Sequence, residues 1–172
     1  MSYARPSSEV PGPVALHDVI EKALVFCEHE FSKHSVITEC DLQPRLPAVR
    51  GIAGQLTQVF VNLFTNAAHA MSQQGGRLSV KVRHQPGNEV LIVDVADEGG
   101  GIAEQDLEQI FEPFFTTKSD GRGSGLGLSI VREIVKAHGG ALSAKSTLGG
   151  GSVFSVELPL AAIPASLVPP SK

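Results

Sequence analysis

The amino-acid sequence predicts an α+β fold, a two-layer α/β sandwich in which helices cover one face of a sheet. Three long segments carry apolar residues at three- and four-residue steps, as amphipathic helices do, and five shorter segments have the apolar pattern of strands. These segments are mixed without the regular strand–helix–strand alternation of a doubly wound sheet. The chain has 172 residues, of which 42% are hydrophobic, so there is room for one ordinary core. One domain is therefore expected.

The composition argues against several classes of function. The net charge is −4 and lysine and arginine do not cluster, so no nucleic-acid-binding face is indicated. Cys27 and Cys40 are the only cysteines, which argues against a disulfide scaffold and a zinc ribbon and favours a reducing compartment, the cytoplasm. The first residues lack the apolar segment of a signal peptide, and no apolar run reaches the roughly 18 residues of a membrane span. No contact of this segment with a membrane is expected.

The first half of the chain predicts a linker, two helices and a strand. Residues 1–13 are rich in Pro, Ser and Gly and are expected to form an extended linker. Residues 14–33 have a helical period and predict an amphipathic helix that needs a sheet to cover. A strand is predicted at residues 36–42, and a second amphipathic helix at residues 55–71.

The second half predicts most of the sheet. Residues 77–83 alternate apolar and polar side chains, which predicts a strand with one buried face. Residues 89–96 are apolar on both faces except at Asp94, which predicts a central strand. An irregular segment at about 108–124 is long enough to indicate a functional loop. The remaining predicted elements are a helix at residues 125–138, strands at 141–146 and 151–159, and a frayed tail at 161–172.

The second predicted helix has an unusual polar edge. Asn62, Asn66 and His69 are spaced four and three residues apart, so they line up along one side of the apolar stripe. Asparagine is a poor residue for a helix interior, because its amide competes with the backbone for hydrogen bonds. Two asparagines in this register are either solvated surface amides or part of a site.

A cluster of alternating glycines leads into the third predicted helix. Its sequence, DGRGSGLGLSIV, has glycine at 121, 123, 125 and 127. Exposed N–H groups at a helix N-terminus suit an anion such as phosphate, although a merely flexible glycine loop would have the same composition. The chain has no Gly-Lys pair, which excludes a Walker A loop, and the glycine spacing does not fit GxGxxG. The Asp-Phe-Gly and His-Arg-Asp motifs of the protein kinases are absent too.

Two further segments contain candidate site residues. Asp97, with Gly99 and Gly101, ends the predicted central strand, where a carboxylate could accept a hydrogen bond from an exocyclic amine while glycines let a flat ring approach. The segment FEPFF, residues 111–115, concentrates three phenylalanines in a polar loop. These rings either pack into the core or form a docking patch.

The four elements together resemble the catalytic, ATP-binding domain of sensor histidine kinases, in the superfamily shared with gyrase and the mismatch-repair ATPases. The order of motifs is the same: NLFTNAAHA as the N box, DEGGGI as the G1 box, FEPFF as the F box and GRGSGLGLSI as the G2 box. The resemblance covers roughly residues 14–160. It implies a Bergerat fold, with a mixed, mostly antiparallel sheet, about three helices on one face and a mobile ATP lid.

The resemblance also implies ligands and roles. Asn66 would supply its amide oxygen to Mg²⁺, Asn62 would steady the ligands around that ion, and Asp97 would accept a hydrogen bond from the adenine amino group of ATP. His69 takes a position at which the family often has a basic residue facing phosphate, so it joins Asn62 and Asn66 as an implied catalytic residue. The other implied nucleotide-binding residues are Gly99, Gly101, Ile102, Lys118, Arg122, Gly123, Ser124, Gly125, Leu126, Gly127 and Leu128, with Lys118 or Arg122 reaching the γ-phosphate.

One position separates transfer from hydrolysis. The water-activating ATPases of the superfamily carry Glu four residues before the metal-binding Asn, whereas this chain has Asn62 there. An amide cannot accept a proton as a general base. The resemblance therefore implies that bound ATP is a phosphoryl donor and is hydrolysed slowly.

A complete histidine kinase also needs an acceptor histidine on a dimerisation helix. Only His17 has an acidic neighbour, Asp18, and the sequence continues without the expected Pro, so we interpret His17 as a solvated helix position. The opening SYARP resembles the end of a dimerisation helix. The expected partners are therefore the dimerisation and phosphoacceptor domain of the same kinase and a response regulator. This chain would be a monomer, and the full-length kinase a homodimer that could be anchored in a membrane.

Other interpretations remain open. An anti-sigma serine kinase of the same superfamily is disfavoured by the F box and by Asn62. A regulatory module that binds nucleotide or protein without catalysis is disfavoured by the presence of Asn66, Asp97 and the G2 glycines. His29 and Glu30 begin an HExxH metal-binding motif, but Lys33 stands where the second histidine is required, so we reject a metalloprotease.

Overall fold

In the computed structural model, three α-helices pack on one face of a five-stranded mixed sheet, which confirms the predicted two-layer α+β fold. The structure describes residues 10–117 and 125–162. The predicted division into a linker at 1–13, a domain at 14–160 and a tail at 161–172 stays a prediction. Among the described residues, no helix is both long enough and apolar enough to cross a bilayer.

The elements follow the predicted order closely. The helices are α1 (Leu16–Lys33), α2 (Ala53–Ala70) and α3 (Gly127–Ala137), and a short 3₁₀ turn (Glu104–Asp106) precedes the irregular segment. The strands are β1 (Gly12–Val14), β2 (Val36–Asp41), β3 (Val49–Gly51), β4 (Gly76–Gln85), β5 (Val90–Asp97), β6 (Ala141–Ser146) and β7 (Ser152–Pro159). The predicted helices and the five predicted main strands are all present, with ends shifted by a few residues.

The main sheet has the order β2-β4-β5-β7-β6, so the strand predicted to be central is central. Only the β2–β4 pair is parallel, and the other three pairs are antiparallel. On β5, Leu91, Val93 and Val95 face the helices and are almost fully buried. Because side chains alternate along a strand, Asp97 lies on the same helix-covered face, at the very end of β5.

The sequence did not predict β1 and β3. These two strands of three residues each pair antiparallel as a separate ribbon, in the register Gly12 with Gly51 and Val14 with Val49. Gly12 and Pro13 belong to the segment expected to be a linker, and a run of three residues is too short to show a strand period. The ribbon lies where the chain enters α1 and α2.

The core lies between α2 and the sheet. The predicted apolar stripe of α2 is buried along its whole length, and Phe60 and Phe64 are fully enclosed. Burying one such side chain stabilises the folded state by roughly 1.5–3 kcal/mol. This packing fixes the rotation of α2, so the edge beside the stripe faces the end of β5 and the start of α3.

Candidate functional site

A large cavity opens between the polar edge of α2, the turn after β5 and the start of α3. Its volume is about 780 Å³, within the range of small-molecule sites. It contains the side chains or backbone of most sequence-predicted site residues that the structure describes. Those in its lining are Asn62, Asn66, His69, Asp97, Gly99, Gly101, Ile102, Gly125, Gly127 and Leu128.

Asp97 is the buried acid of this cavity, with only 8% of its surface exposed. Its Oδ1 accepts a hydrogen bond of 2.9 Å from the backbone N–H of Gly99. Burial raises the pKa of Asp97 above the ordinary value, and the N–H groups of Gly99 and Ser152 offset only part of that effect. Among the described residues, no cationic side chain contributes to this pKa shift. A buried carboxylate whose described partners are backbone N–H groups still suits a neutral hydrogen-bond donor from a ligand.

The glycine turn after Asp97 is held by the turn between β6 and β7. The Gly149 N–H donates to the Gly100 carbonyl at 2.7 Å, and the Ile102 N–H donates to the Ser146 hydroxyl at 2.7 Å. Gly101 has a φ of +73°, and a Cβ added there would collide with the carbonyl oxygen of Thr147. Glycine is therefore required at 101 both by the backbone conformation and by the close approach of the second turn.

The polar edge of α2 faces the opposite side of the cavity. Asn62 donates from Nδ2 to the carbonyl of Gly127 at 3.3 Å, which ties α2 to the first residue of α3. Asn66 is half-buried and lies one turn further along the same edge. His69 lines the cavity and also contacts α1, where its Nε2 lies 3.3 Å from Oε2 of Glu30. The two asparagines are therefore not freely solvated surface amides.

The start of α3 supplies part of the implied glycine motif. Gly125 has a φ of +69°, and Gly127 and Leu128 line the cavity beside it. Leu126, although described, does not line the cavity. Its carbonyl accepts a hydrogen bond of 2.9 Å from the Ser129 hydroxyl. The implied residues Lys118, Arg122, Gly123 and Ser124 lie outside the described part of the chain.

The three phenylalanines of residues 111–115 differ in their burial. Phe111 packs edge-on against Phe154, with ring centroids 6.4 Å apart, and Phe115 packs against the core and lines the cavity. Phe114 is 74% exposed and has a φ of +67°, with its N–H donating to the Gly125 carbonyl at 2.9 Å. Two rings are thus packing residues, and the third is presented to solvent by the segment that precedes α3.

The sequence missed several contributors to the site. Ile110 and Phe154 form an apolar wall of the cavity, and Ser152 lines it beside Asp97. The three consecutive glycines 149–151 were a signal, because such a run between two strands indicates a turn with close backbone contacts. Which turn they contact depends on the pairing of β5 with β7, in which Ser152 is opposite Asp97.

Comparisons with known proteins agree with this geometry. The family model described as "Histidine kinase-, DNA gyrase B-, and HSP90-like ATPase" matches residues 51–162. Sensor histidine kinase ZraS of Salmonella typhimurium is 36% identical over 162 residues, which cover 94% of this chain and 34% of that protein. The two-component sensor PprA of Pseudomonas aeruginosa is 40% identical over 166 residues, which cover 93% of this chain and 18% of that protein.

A solved structure of the mycobacterial sensor histidine kinase MprB superposes with a TM-score of 0.77 and 30% identity. The match covers 90% of this chain and 100% of that chain. This chain spans about a third of the length of ZraS.

Proposed function

Since the chain belongs to the histidine kinase-, DNA gyrase B- and HSP90-like ATPase family, we propose that it binds Mg²⁺-ATP and donates the γ-phosphoryl group to a histidine of a dimerisation domain. Within the family it is the ATP-binding catalytic domain of a two-component sensor histidine kinase. The observation that carries the proposal is Asp97, a buried carboxylate with no cationic partner among the described residues, which faces a cavity of about 780 Å³.

The end of the cavity around Asp97 fits adenine. One carboxylate oxygen is held by the Gly99 N–H, so the orientation of the acid is fixed. Apolar side chains, including those of Ile110, Leu128 and Phe154, complete the walls of the cavity. A flat heterocycle with an exocyclic amine would bury its faces against such walls and donate its N–H to Asp97.

The α2 edge fits the phosphate end. Asn66 would hold Mg²⁺ through its amide oxygen, since Mg²⁺ takes oxygen ligands and shares its coordination with phosphate and water. When bound there, Mg²⁺ would supply positive charge that offsets the negative charge of the phosphates. Asn62 contacts the first residue of α3, and His69, which lines the cavity on the same edge, would donate a hydrogen bond from its ring. These three residues orient the phosphates and exclude water from them.

The amide of Asn62 favours phosphoryl transfer from ATP over hydrolysis of ATP. Its amide donates to the Gly127 carbonyl and offers no basic group to an attacking water. A general base within hydrogen-bond reach normally contributes about 10²–10⁴-fold to such a reaction. Bound ATP is therefore hydrolysed slowly and serves as a phosphoryl donor to an acceptor histidine.

The partners belong to the same proposal. The chain covers about a third of ZraS, and the acceptor histidine is expected in the part of the kinase that this chain does not include. The dimerisation domain would bring that histidine to the phosphate end of the cavity, and a response regulator would receive the phosphoryl group from it. We also propose that this domain lies in the cytoplasm.

Nucleotide binding is tested by titrating a non-hydrolysable ATP analogue into the chain by calorimetry, with and without Mg²⁺. We expect one binding site whose affinity falls on removal of Mg²⁺. Asn66→Ala should abolish the Mg²⁺ dependence, and Asp97→Ala should weaken binding with and without the metal. Equal binding by all three proteins would contradict the assignment of the cavity.

Transfer needs a separate experiment. The chain is mixed with labelled ATP and the dimerisation domain of its own kinase, and acid-labile, base-stable phosphoprotein is measured. Formation of that product, together with very slow ADP release by the chain alone, is expected. Binding without any transfer would favour the alternative of a regulatory module. Acid-stable phosphoserine on a partner would favour a serine kinase.

A further inference from the structure

Three side chains with metal-binding chemistry converge beside the cavity, at the ends of α1 and α2. Glu30 and His34 are four residues apart at the end of α1, so they lie on the same face. His69 reaches them from the last turn of α2. One potential ligand atom from each residue, Oε2 of Glu30 and a ring nitrogen of each histidine, lies within 4.8 Å of the other two.

The distances from Glu30 to the two histidines are compatible with a metal coordination shell. Oε2 of Glu30 lies 3.4 Å from Nε2 of His34 and 3.3 Å from Nε2 of His69. An N–H···O hydrogen bond is usually about 2.7–3.2 Å long. Two ligands of a tetrahedral Zn²⁺ ion with bonds of about 2.0–2.1 Å are separated by about 3.3 Å. The two distances from Glu30 Oε2 match that separation, and the two histidine ring nitrogens lie within 4.8 Å of each other.

Two of the atoms make no hydrogen bond of standard geometry with the described residues. They are Oε2 of Glu30 and Nε2 of His34, and both are buried. The His34 side chain is only 8% exposed, so its nitrogen is sheltered from water as well. Unpartnered buried polar atoms are uncommon, and a missing ion is one recognised cause.

His138 shows how a purely structural histidine in this chain is satisfied. Its Nε2 accepts a hydrogen bond of 3.1 Å from the Ile52 N–H, and its Nδ1 lies 2.7 Å from the Ile134 carbonyl. His17 also has a buried Nε2 without a hydrogen-bond partner, but it belongs to no metal-ligand cluster among the described residues. Among the described residues, Glu30 and His34 are the ones with an unpartnered buried atom that also belong to a cluster of potential metal ligands.

We propose that Glu30, His34 and His69 form a transition-metal site that binds Zn²⁺, separate from the magnesium of the nucleotide. Two imidazole nitrogens and one carboxylate oxygen are a common ligand set for Zn²⁺, with water in the fourth position. Imidazole ligands disfavour Mg²⁺, which prefers oxygen. The site joins α1 to α2, and it holds His69 at the border of the nucleotide cavity.

The test is a calorimetric titration of the untagged chain with ZnCl₂ in excess Mg²⁺ and without nucleotide. One equivalent of Zn²⁺ should bind. Glu30→Gln and His34→Gln should each weaken binding by at least about tenfold, since even loss of a group that supports a metal ligand costs about 10–100-fold. Glu28→Gln and His29→Gln are matched controls, because these residues are exposed on the same helix, and they should bind like the wild type.

A second measurement keeps the test decisive if a variant folds poorly. The wild-type chain titrated with Co²⁺ should develop the intense visible absorption of a tetrahedral ion, and added Zn²⁺ should remove it. Failure of the wild type to bind one Zn²⁺, or an unchanged affinity in folded Glu30→Gln and His34→Gln, would overturn the proposal. Because no nucleotide is present, a failure of the proposed kinase function would not affect the outcome.

Discussion

Asp94 and Asp97 are three residues apart on β5, yet their surroundings give them opposite properties. Asp94 lies on the open face of the sheet, where Arg83 Nε donates to it at 2.7 Å and the Ser155 hydroxyl donates at 2.6 Å. Burial works against ionisation of Asp94, but these partners outweigh it and hold its pKa below the ordinary value. Asp97 lies on the helix-covered face, and burial raises its pKa.

The difference shows what makes a carboxylate available for binding. The hydrogen-bonding capacity of Asp94 is taken up by side chains of the protein itself, so its role is to join β4, β5 and β7. Asp97 has backbone N–H groups as partners and faces a cavity. A carboxylate whose pKa is perturbed by burial and which lies in a cleft is a candidate functional acid.

The strongest test of this comparison replaces each aspartate by asparagine. Asp97→Asn should weaken binding of the ATP analogue by roughly 10–100-fold, because a hydrogen bond to a charged group contributes about 1.5–3 kcal/mol. The amide oxygen would take the Gly99 N–H, which turns an NH₂ group towards the amine of adenine. Asp94→Asn is the matched variant and should bind like the wild type in the same titration. Equal losses of affinity in both variants would contradict a specific role of Asp97 in nucleotide binding.

A second test asks whether the Asp97 region depends on its backbone rather than on side-chain partners. Gly101→Ala should destabilise the fold by about 1–3 kcal/mol, because alanine must adopt a positive φ and its Cβ meets the Thr147 carbonyl. Gly100→Ala is the control, since a Cβ there has nothing within 4 Å, and it should change stability by less than about 0.5 kcal/mol. Urea denaturation measures both, and similar midpoints would contradict the required close approach.

The Asp94 region should respond in the opposite way. Arg83→Met should lower the free energy of unfolding by at most about 1 kcal/mol, because the guanidinium is half-exposed and solvent screens the ion pair. Nucleotide affinity should not change. Lys81→Met, which removes a longer and more exposed contact of 3.8 Å to Asp41, should have a smaller effect still. A loss of nucleotide affinity in Arg83→Met would show that the two faces of β5 are coupled.

The smallest effect is a difference in the sign of pH dependence. Asp94 has a lowered folded-state pKa, so its stabilisation is present above the unfolded value of 3.8 and is lost as pH falls through the folded pKa. Asp97 has a raised folded-state pKa, so the folded state gains relative stability as pH falls through that pKa towards 3.8. Denaturation of the wild type and both asparagine variants at pH 3–7 should give difference curves of opposite slope.

Much of the fold could be predicted from the sequence, because the spacing of apolar residues indicates which face of a helix or strand is buried. The stripe through Phe60 and Phe64 predicted both α2 and its buried face, and the segment at residues 89–96, apolar on both faces except at Asp94, predicted the central strand. The ribbon of β1 and β3 could not be predicted, since strands of three residues have no period to detect. The parallel pairing of β2 with β4 was also beyond local pattern, because it joins segments separated by a helix.

The sequence by itself determined the inventory of the site: the two asparagines and the histidine in helical register, Asp97 at a strand end, and glycines before α3. Tertiary structure alone decided their partners. It placed the 149–151 turn on the Asp97 turn, and it brought Glu30 and His34 of α1 to His69 of α2. The physical reason is that local sequence fixes which face an element buries, whereas contacts between distant elements depend on how those faces pack.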